Sequence, residues 1–166
     1  MSEIKNLTGN KAAEKMADLA MDIHHCMFCT YHKGQLYSRP MATQKVDDEG
    51  NVWFISSKDS EKNEHLASDS RVELLYAHGH DKFLAVHGTA TILFDKEKIK
   101  ELWDPIAKIW FTEGVDDPRI SVIKVSPSTG YYWDTKHGKM IEMIKMAAAL
   151  VTNKTMDDGI EGTLKN

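Results

Sequence analysis

The sequence predicts a mainly β protein, an antiparallel barrel with flanking helices. Three observations carry that expectation. Six or seven short stretches have strand-like composition, and most follow one another through hairpin turns. The helical stretches are too few and too late for the alternation that a parallel sheet requires. The chain has 166 residues, 42% hydrophobic and 28% charged, which is one ordinary globular domain with enough apolar material for a core. That domain is expected over residues 1–150, followed by a loosely held polar tail over 151–166.

Each element rests on its own pattern. Residues 10–23 carry Ala13, Met16, Ala17, Ala20 and Met21, the spacing of one helix face. Residues 26–31 and 36–46 read as strands around a turn at His32, Lys33 and Gly34, and Asp47 to Gly50 turn the chain into a third strand, 51–57. Residues 60–67 read as a short helix, 72–78 as a strand, and His78, Gly79, His80 and Asp81 as a turn. A long strand over 83–94 has Gly88 as an expected bulge. Asp95 then caps a helix bearing Ile99, Leu102 and Trp103, which ends before Pro105, and Ile106, Ile109 and Trp110 lie on a second helical piece. Residues 120–125 and 130–133 read as two strands joined by SPST, and 139–150 as a last helix.

Charge and composition narrow the function. A net charge of −4 argues against a nucleic-acid partner, which calls for a basic face. The N-terminal stretch has no apolar signal region, and no apolar run approaches the ~20 residues of a membrane helix, so a cytoplasmic protein without membrane contact is expected. Cys26 and Cys29 form a Cys-x-x-Cys beside histidines, but in a strand they point to opposite faces and read as structural thiols.

The segment QLYSRPMATQKV poses the sharpest problem. Pro40 cannot donate to a strand ladder, so it belongs on an edge or at a bulge, and a bulge that turns the backbone toward a ligand is the expectation. Arg39 beside it needs an anion. Downstream, WFISSKDSEKNEHL ends a strand in Ser56 and Ser57, opens a helix at Ser60 and puts Lys62 in its first turn. Helix N-termini attract anions, and a first-turn lysine is unfavourable without one. The plainer alternatives are Ser60 as an N-cap only, Lys62 as a solvated side chain, and Arg39 paired with Asp47 or Glu49.

YSRPM and GNVWFISSKDSEK, continued by VHGTATILFD, LWDPIAKIWFTEGVDDPR and YYWD, resemble the flavin-binding split-barrel superfamily related to pyridoxamine phosphate oxidase, and within it the bacterial general stress protein branch. The likeness covers about residues 10–150. It implies a six-stranded split β-barrel and a homodimer with FMN at the interface. It implies that Ser38, Arg39, Pro40 and Met41 line the isoalloxazine and ribityl chain, and that Arg39 and Lys62 address the phosphate or ribityl end. Phe54, Ile55, Ser56 and Ser57 are implied to run beside the flavin, and Ser60 to join the phosphate contacts. Trp110 of the partner subunit is the implied aromatic neighbour of the ring, with Trp133 the weaker candidate.

The chain departs from the oxidases themselves. No arginine follows Arg119, and YYWDTKHGKM lacks an arginine-x-histidine pair, which argues against vitamin B6 synthesis. His78-Gly79-His80 lies outside the family pattern and lacks a third metal ligand. No residue is assigned a catalytic role, because the flavin carries the redox chemistry. The expectation is an FMN-dependent oxidoreductase with NADH or NADPH as reductant. The alternative is an FMN carrier, buffer or redox sensor used in stress, with haem binding a weaker third.

Overall fold

The computed structural model describes residues 3–135 and 159–165, and the helix expected over 139–150 lies outside them. Two short strands, β1 (Glu3–Ile4) and β2 (Leu7–Thr8), precede helix α1 (Asn10–Ile23). The helix buries Ala12, Met16, Leu19, Ala20 and Ile23 and leaves Met21 exposed. The stripe is rotated from the alanine-rich one because Leu19 and Ile23 bring more apolar area to the sheet.

Strands β3 (His25–His32) and β4 (Gln35–Ala42) form a hairpin through Lys33 and Gly34, both at positive φ. Their ladder runs without a slip from His25 opposite Ala42 to His32 opposite Gln35. The bulge expected at Pro40 is therefore absent. Pro40 sits opposite Met27 in a regular ladder, and it is tolerated because the other edge of β4 pairs with no strand among the described residues.

The single strand expected over 36–46 is two strands. The Thr43 amide bonds the His24 carbonyl on the β3 side (2.8 Å), while the next amide, Gln44, bonds the Trp53 carbonyl (2.8 Å). Between consecutive residues the chain changes partner. It continues as β5 (Lys45–Val46), which pairs through two residues with β6 (Val52–Ser57). Asp47 organises the turn between them, accepting from the amides of Glu49 and Asn51 and from the Trp53 indole.

Helix α2 (Glu61–Ser68) leads into β7 (Arg71–His78) and β8 (Lys82–Leu93). Helix α3 (Lys96–Leu102) starts on Asp95, whose carboxylate accepts from the amides of Glu97 and Lys98, and a 3-10 turn follows over Pro105–Ile109. Strand β9 (Ile120–Thr135) is one strand where two were expected. It survives the Ser-Pro-Ser stretch through a bulge: His87 faces Thr129, Gly88 faces Pro127, and Ser128 is left between them. A side chain at position 88 would bring its Cβ to 2.5 Å from the Ser126 carbonyl oxygen, so glycine is required. The polar tail contains β10 (Gly159–Lys165), which pairs antiparallel with β9 and parallel with β1 and β2. Its alternation of exposed Thr163 and Lys165 with buried Leu164 explains why it reads as polar in sequence.

The ten strands form one sheet among the described residues. Six of its members run in the order β4, β3, β7, β8, β9, β6, each pair antiparallel, so the sheet curls until β4 and β6 come near each other without pairing. Only the two-residue β5 ladder bridges them, which leaves a split barrel. Its interior holds Phe28, Phe54, Leu74, Ile123 and Tyr132, with the Phe28 and Phe54 rings edge to face at 5.1 Å. A second cluster, Trp53, Ile99, Leu102, Phe111 and Val122, packs α3 and the 3-10 turn against the outside of β6 and β9. No helix among the described residues is long and apolar enough to cross a membrane.

Candidate functional site

Where β4 and β6 fail to pair, a cleft of about 440 Å³ opens, a size usual for small-molecule sites. Pro40, Met41 and Ala42 of β4 form one wall, and Ile55, Ser56 and Ser57 of β6 form the other. Lys62 enters from the first turn of α2, and His24 and His25 from the α1–β3 junction. Asp104, Ile106, Ala107, Trp110 and Phe111 line it from the region of the 3-10 turn.

A buried polar network fixes α2 against the sheet. The Asn63 side-chain oxygen accepts from the hydroxyls of Ser56 (3.0 Å) and Ser60 (3.2 Å). Its amide nitrogen donates to the Ser121 hydroxyl (2.9 Å), which itself donates to the Ser56 carbonyl (3.2 Å). Each side chain of this network thereby has a partner, as burial demands. The Ser60 hydroxyl turns inward to Asn63 and does not cap the helix amides. The helix keeps its N-terminal dipole end beside the end of β6.

Two cations meet at this corner. Burial, and after it the Arg39 charge, hold the Lys62 ammonium down to about 8. Lys62 has no hydrogen bond or ion pair among the described residues. Burial likewise lowers Arg39, with Glu61 working against it. Arg39 donates to Thr30 Oγ1 (2.8 Å) and makes no carboxylate contact within 4 Å among the described residues. The pairing with Asp47 or Glu49 weighed from sequence is not formed, since Asp47 serves its own turn. Two partly buried positive groups without a counter-ion are unfavourable unless an anion joins them.

The residues singled out from sequence fall into two sets. Pro40, Met41, Ile55, Ser56, Ser57, Lys62 and Trp110 line the cleft together. Ser38 is exposed on β4, and Arg39 stands behind Lys62, held by Thr30. The Phe54 side chain is fully buried in the barrel, and Ser60 faces a neighbouring hollow beside Asn63 and Phe94. Trp110, expected to reach a partner's ring, lies at the mouth of its own chain's cleft and is 64% exposed. Trp133 pairs with Phe83 and Glu161 in the sheet, away from the cleft lining. Sequence reading missed His24, His25 and Phe111. His24 ends α1 at φ 69°, a left-handed position with no glycine or asparagine to announce it.

Residues 11–157 match the model of the family described as pyridoxamine 5′-phosphate oxidase like. Protein bli-3 of Neurospora crassa is 27% identical over 131 residues, which cover 73% of this chain and 63% of that protein, so the match spans less than two thirds of that relative's length. Among solved structures, a Jannaschia sp. CCS1 protein described as general stress protein 26 has a TM-score of 0.79 at 26% identity, covering 94% of this chain and 99% of that one. The general stress FMN/FAD binding protein of Xanthomonas citri has a TM-score of 0.65 at 23% identity, covering 78% and 93%. The second likeness is one of fold.

Proposed function

This chain belongs to the pyridoxamine 5′-phosphate oxidase like family, and from that premise we propose that its cleft binds FMN and that the protein is an FMN-dependent oxidoreductase reduced by NADH or NADPH. The observation that carries the reading is the pair Arg39 and Lys62, partly buried at the α2 N-terminus with no carboxylate paired to either among the described residues. A phosphate supplies the missing charge, through a helix end and two cationic side chains. The residues present fit the rest of the molecule as well. The edge of β4 at Pro40 to Ala42, unpaired among the described residues, offers backbone groups to a polar ring edge, and Ile55, Trp110 and Phe111 offer apolar surface to its faces.

The flavin, when bound, supplies the electron transfer itself. The chain's own residues bind and orient it. Lys62 and Arg39 would neutralise the phosphate, the cleft walls on β4 and β6 would hold the ring, and the 3-10 turn would exclude water. Ile106, Ile109 and Trp110 are 61%, 71% and 64% exposed beside the cleft mouth, which supports a homodimer whose second copy covers it.

The test is identification of the bound cofactor after gentle purification, followed by titration of FMN and riboflavin. FMN is expected to bind about a hundredfold or more tightly, from two charged hydrogen bonds of ~1.5–3 kcal/mol each. Equal affinities would rule out the phosphate site. Anaerobic mixing with NADH or NADPH then separates an enzyme, whose flavin bleaches, from a carrier, buffer or sensor, whose flavin does not.

A further inference from the structure

Behind the cleft a buried relay holds Arg39. Arg39 Nη1 lies 2.8 Å from Thr30 Oγ1, and Thr30 Oγ1 lies 3.0 Å from His65 Nδ1. Thr30 is 0% exposed and His65 2%. The chemistry sets the direction of the relay. A guanidinium has donors only, so the Thr30 oxygen accepts from Arg39. Thr30 Oγ1 makes no other hydrogen bond among the described residues, so its single proton has only His65 to go to; Nδ1 is then a bare acceptor and the ring proton is on Nε2. That nitrogen faces Glu61 Oε1 at 3.8 Å. The ring is clamped in this pose, with His32 stacked at 4.5 Å and 15° and Tyr37 at 4.6 Å. Burial, the largest influence on it, favours the neutral imidazole that the relay requires. His65 lies one helical turn from Lys62, so the relay and the cleft lysine share helix α2.

We propose that Thr30 and His65 are positioning residues: acting through Arg39, they hold the guanidinium in place behind Lys62 and so set the preference for a phosphate-bearing ligand over its dephosphorylated form. The inference rests on reading Arg39 as an anion contact. A guanidinium left free explores many rotamers, and fixing it in advance removes that entropy from binding.

Thr30→Val removes the hydroxyl and keeps the branched shape. It is expected to lower the ratio of FMN to riboflavin affinity by about fivefold or more, while Thr30→Ser keeps the wild-type ratio. His65→Asn retains an acceptor near the place of Nδ1 and is expected to keep more of the ratio than His65→Leu. In an Arg39→Ala background, Thr30→Val is expected to change the ratio no further. Nitrogen-15 spectra of the wild-type imidazole are expected to show a bare Nδ1 and a protonated Nε2. A folded Thr30→Val protein with a wild-type ratio, alongside an Arg39→Ala protein with a reduced one, would overturn the relay and leave the phosphate site standing. If Arg39→Ala keeps the wild-type ratio, the phosphate reading of Arg39 falls and the relay's role with it. Should Thr30→Val not fold, the two His65 variants and the wild-type tautomer decide: a proton on Nδ1 ends the proposal.

Discussion

Lys62 carries the clearest dependence on pH. Burial and Arg39 bring its ammonium down to about 8 from the usual 10.5. In the free protein the charge is present below about 8 and lost above it. A bound phosphate favours the charged form and raises that value, so FMN affinity should fall as pH climbs from about 8, while riboflavin affinity stays flat. Paired titrations between neutral pH and about 10 check this. Stability follows the same linkage. Between about 8 and 10.5 the unfolded lysine holds a proton that the folded one has released, so the free protein gains stability as pH rises through that window. Replacing Lys62 with methionine removes the desolvated charge. It should raise the free protein's Tm at neutral pH by a few degrees and weaken FMN about tenfold; a lower Tm would show that Lys62 supports the fold. The thiols behave oppositely to a reactive pair. Burial pushes Cys26 up to about 12 and raises Cys29, and both are free. Replacing both with alanine should cost some stability and leave FMN stoichiometry unchanged, as a spectroscopic titration of the purified double variant would show.

At the level of elements, the β8–β9 bulge is the point most sensitive to substitution. Gly88→Ala must move a backbone carbonyl that lies 2.5 Å from the new carbon, and a loss of about 2–3 kcal/mol is expected in urea unfolding, as for other overpacked sites. That glycine was legible in sequence, as were α1, the Asp95 cap and the turns joining β3 to β4 and β7 to β8, because each rests on local chemistry that residue type announces. The handover at Thr43 and Gln44 was not. Nothing in those two residues says that the next amide will seek β6 and not the β3 side; the switch is decided by His24 and Trp53, nineteen and nine residues away. For the same reason Arg39 and Lys62 were readable as anion-seeking, since a lone strand arginine and a first-turn lysine lack local partners, whereas Thr30 and His65 were not. Their significance exists only once β3, β4 and α2 stack. Phe54 shows the converse limit: strand alternation turns it into the barrel while its neighbours Ile55 and Ser57 meet the cleft.

For the whole molecule, the apolar rim at Ile106, Ile109 and Trp110 sets the expected assembly. Sedimentation at micromolar concentration should give the mass of two chains, and Trp110→Glu should shift it toward one; a wild-type mass of one chain would remove the second copy from the account of the cleft. The two ends of the described chain also meet, because β1 and β2 pair with β10 and, among the described residues, with no other strand. This has a consequence for biosynthesis. The β1–β2 segment must wait for a strand made some 150 residues later, roughly 8–30 s at ~5–20 residues per second. Once β9 is made, its outer edge from residue 129 waits while the chain grows from residue 135 to 159, roughly 1–5 s at that rate, and the barrel stands as an intermediate open to strangers. A nascent chain stalled before residue 159 should therefore be more readily captured by chaperones or cut by protease than one stalled far enough on to expose Lys165. The seven-residue β10 acts as a latch that closes only after β9 has been made.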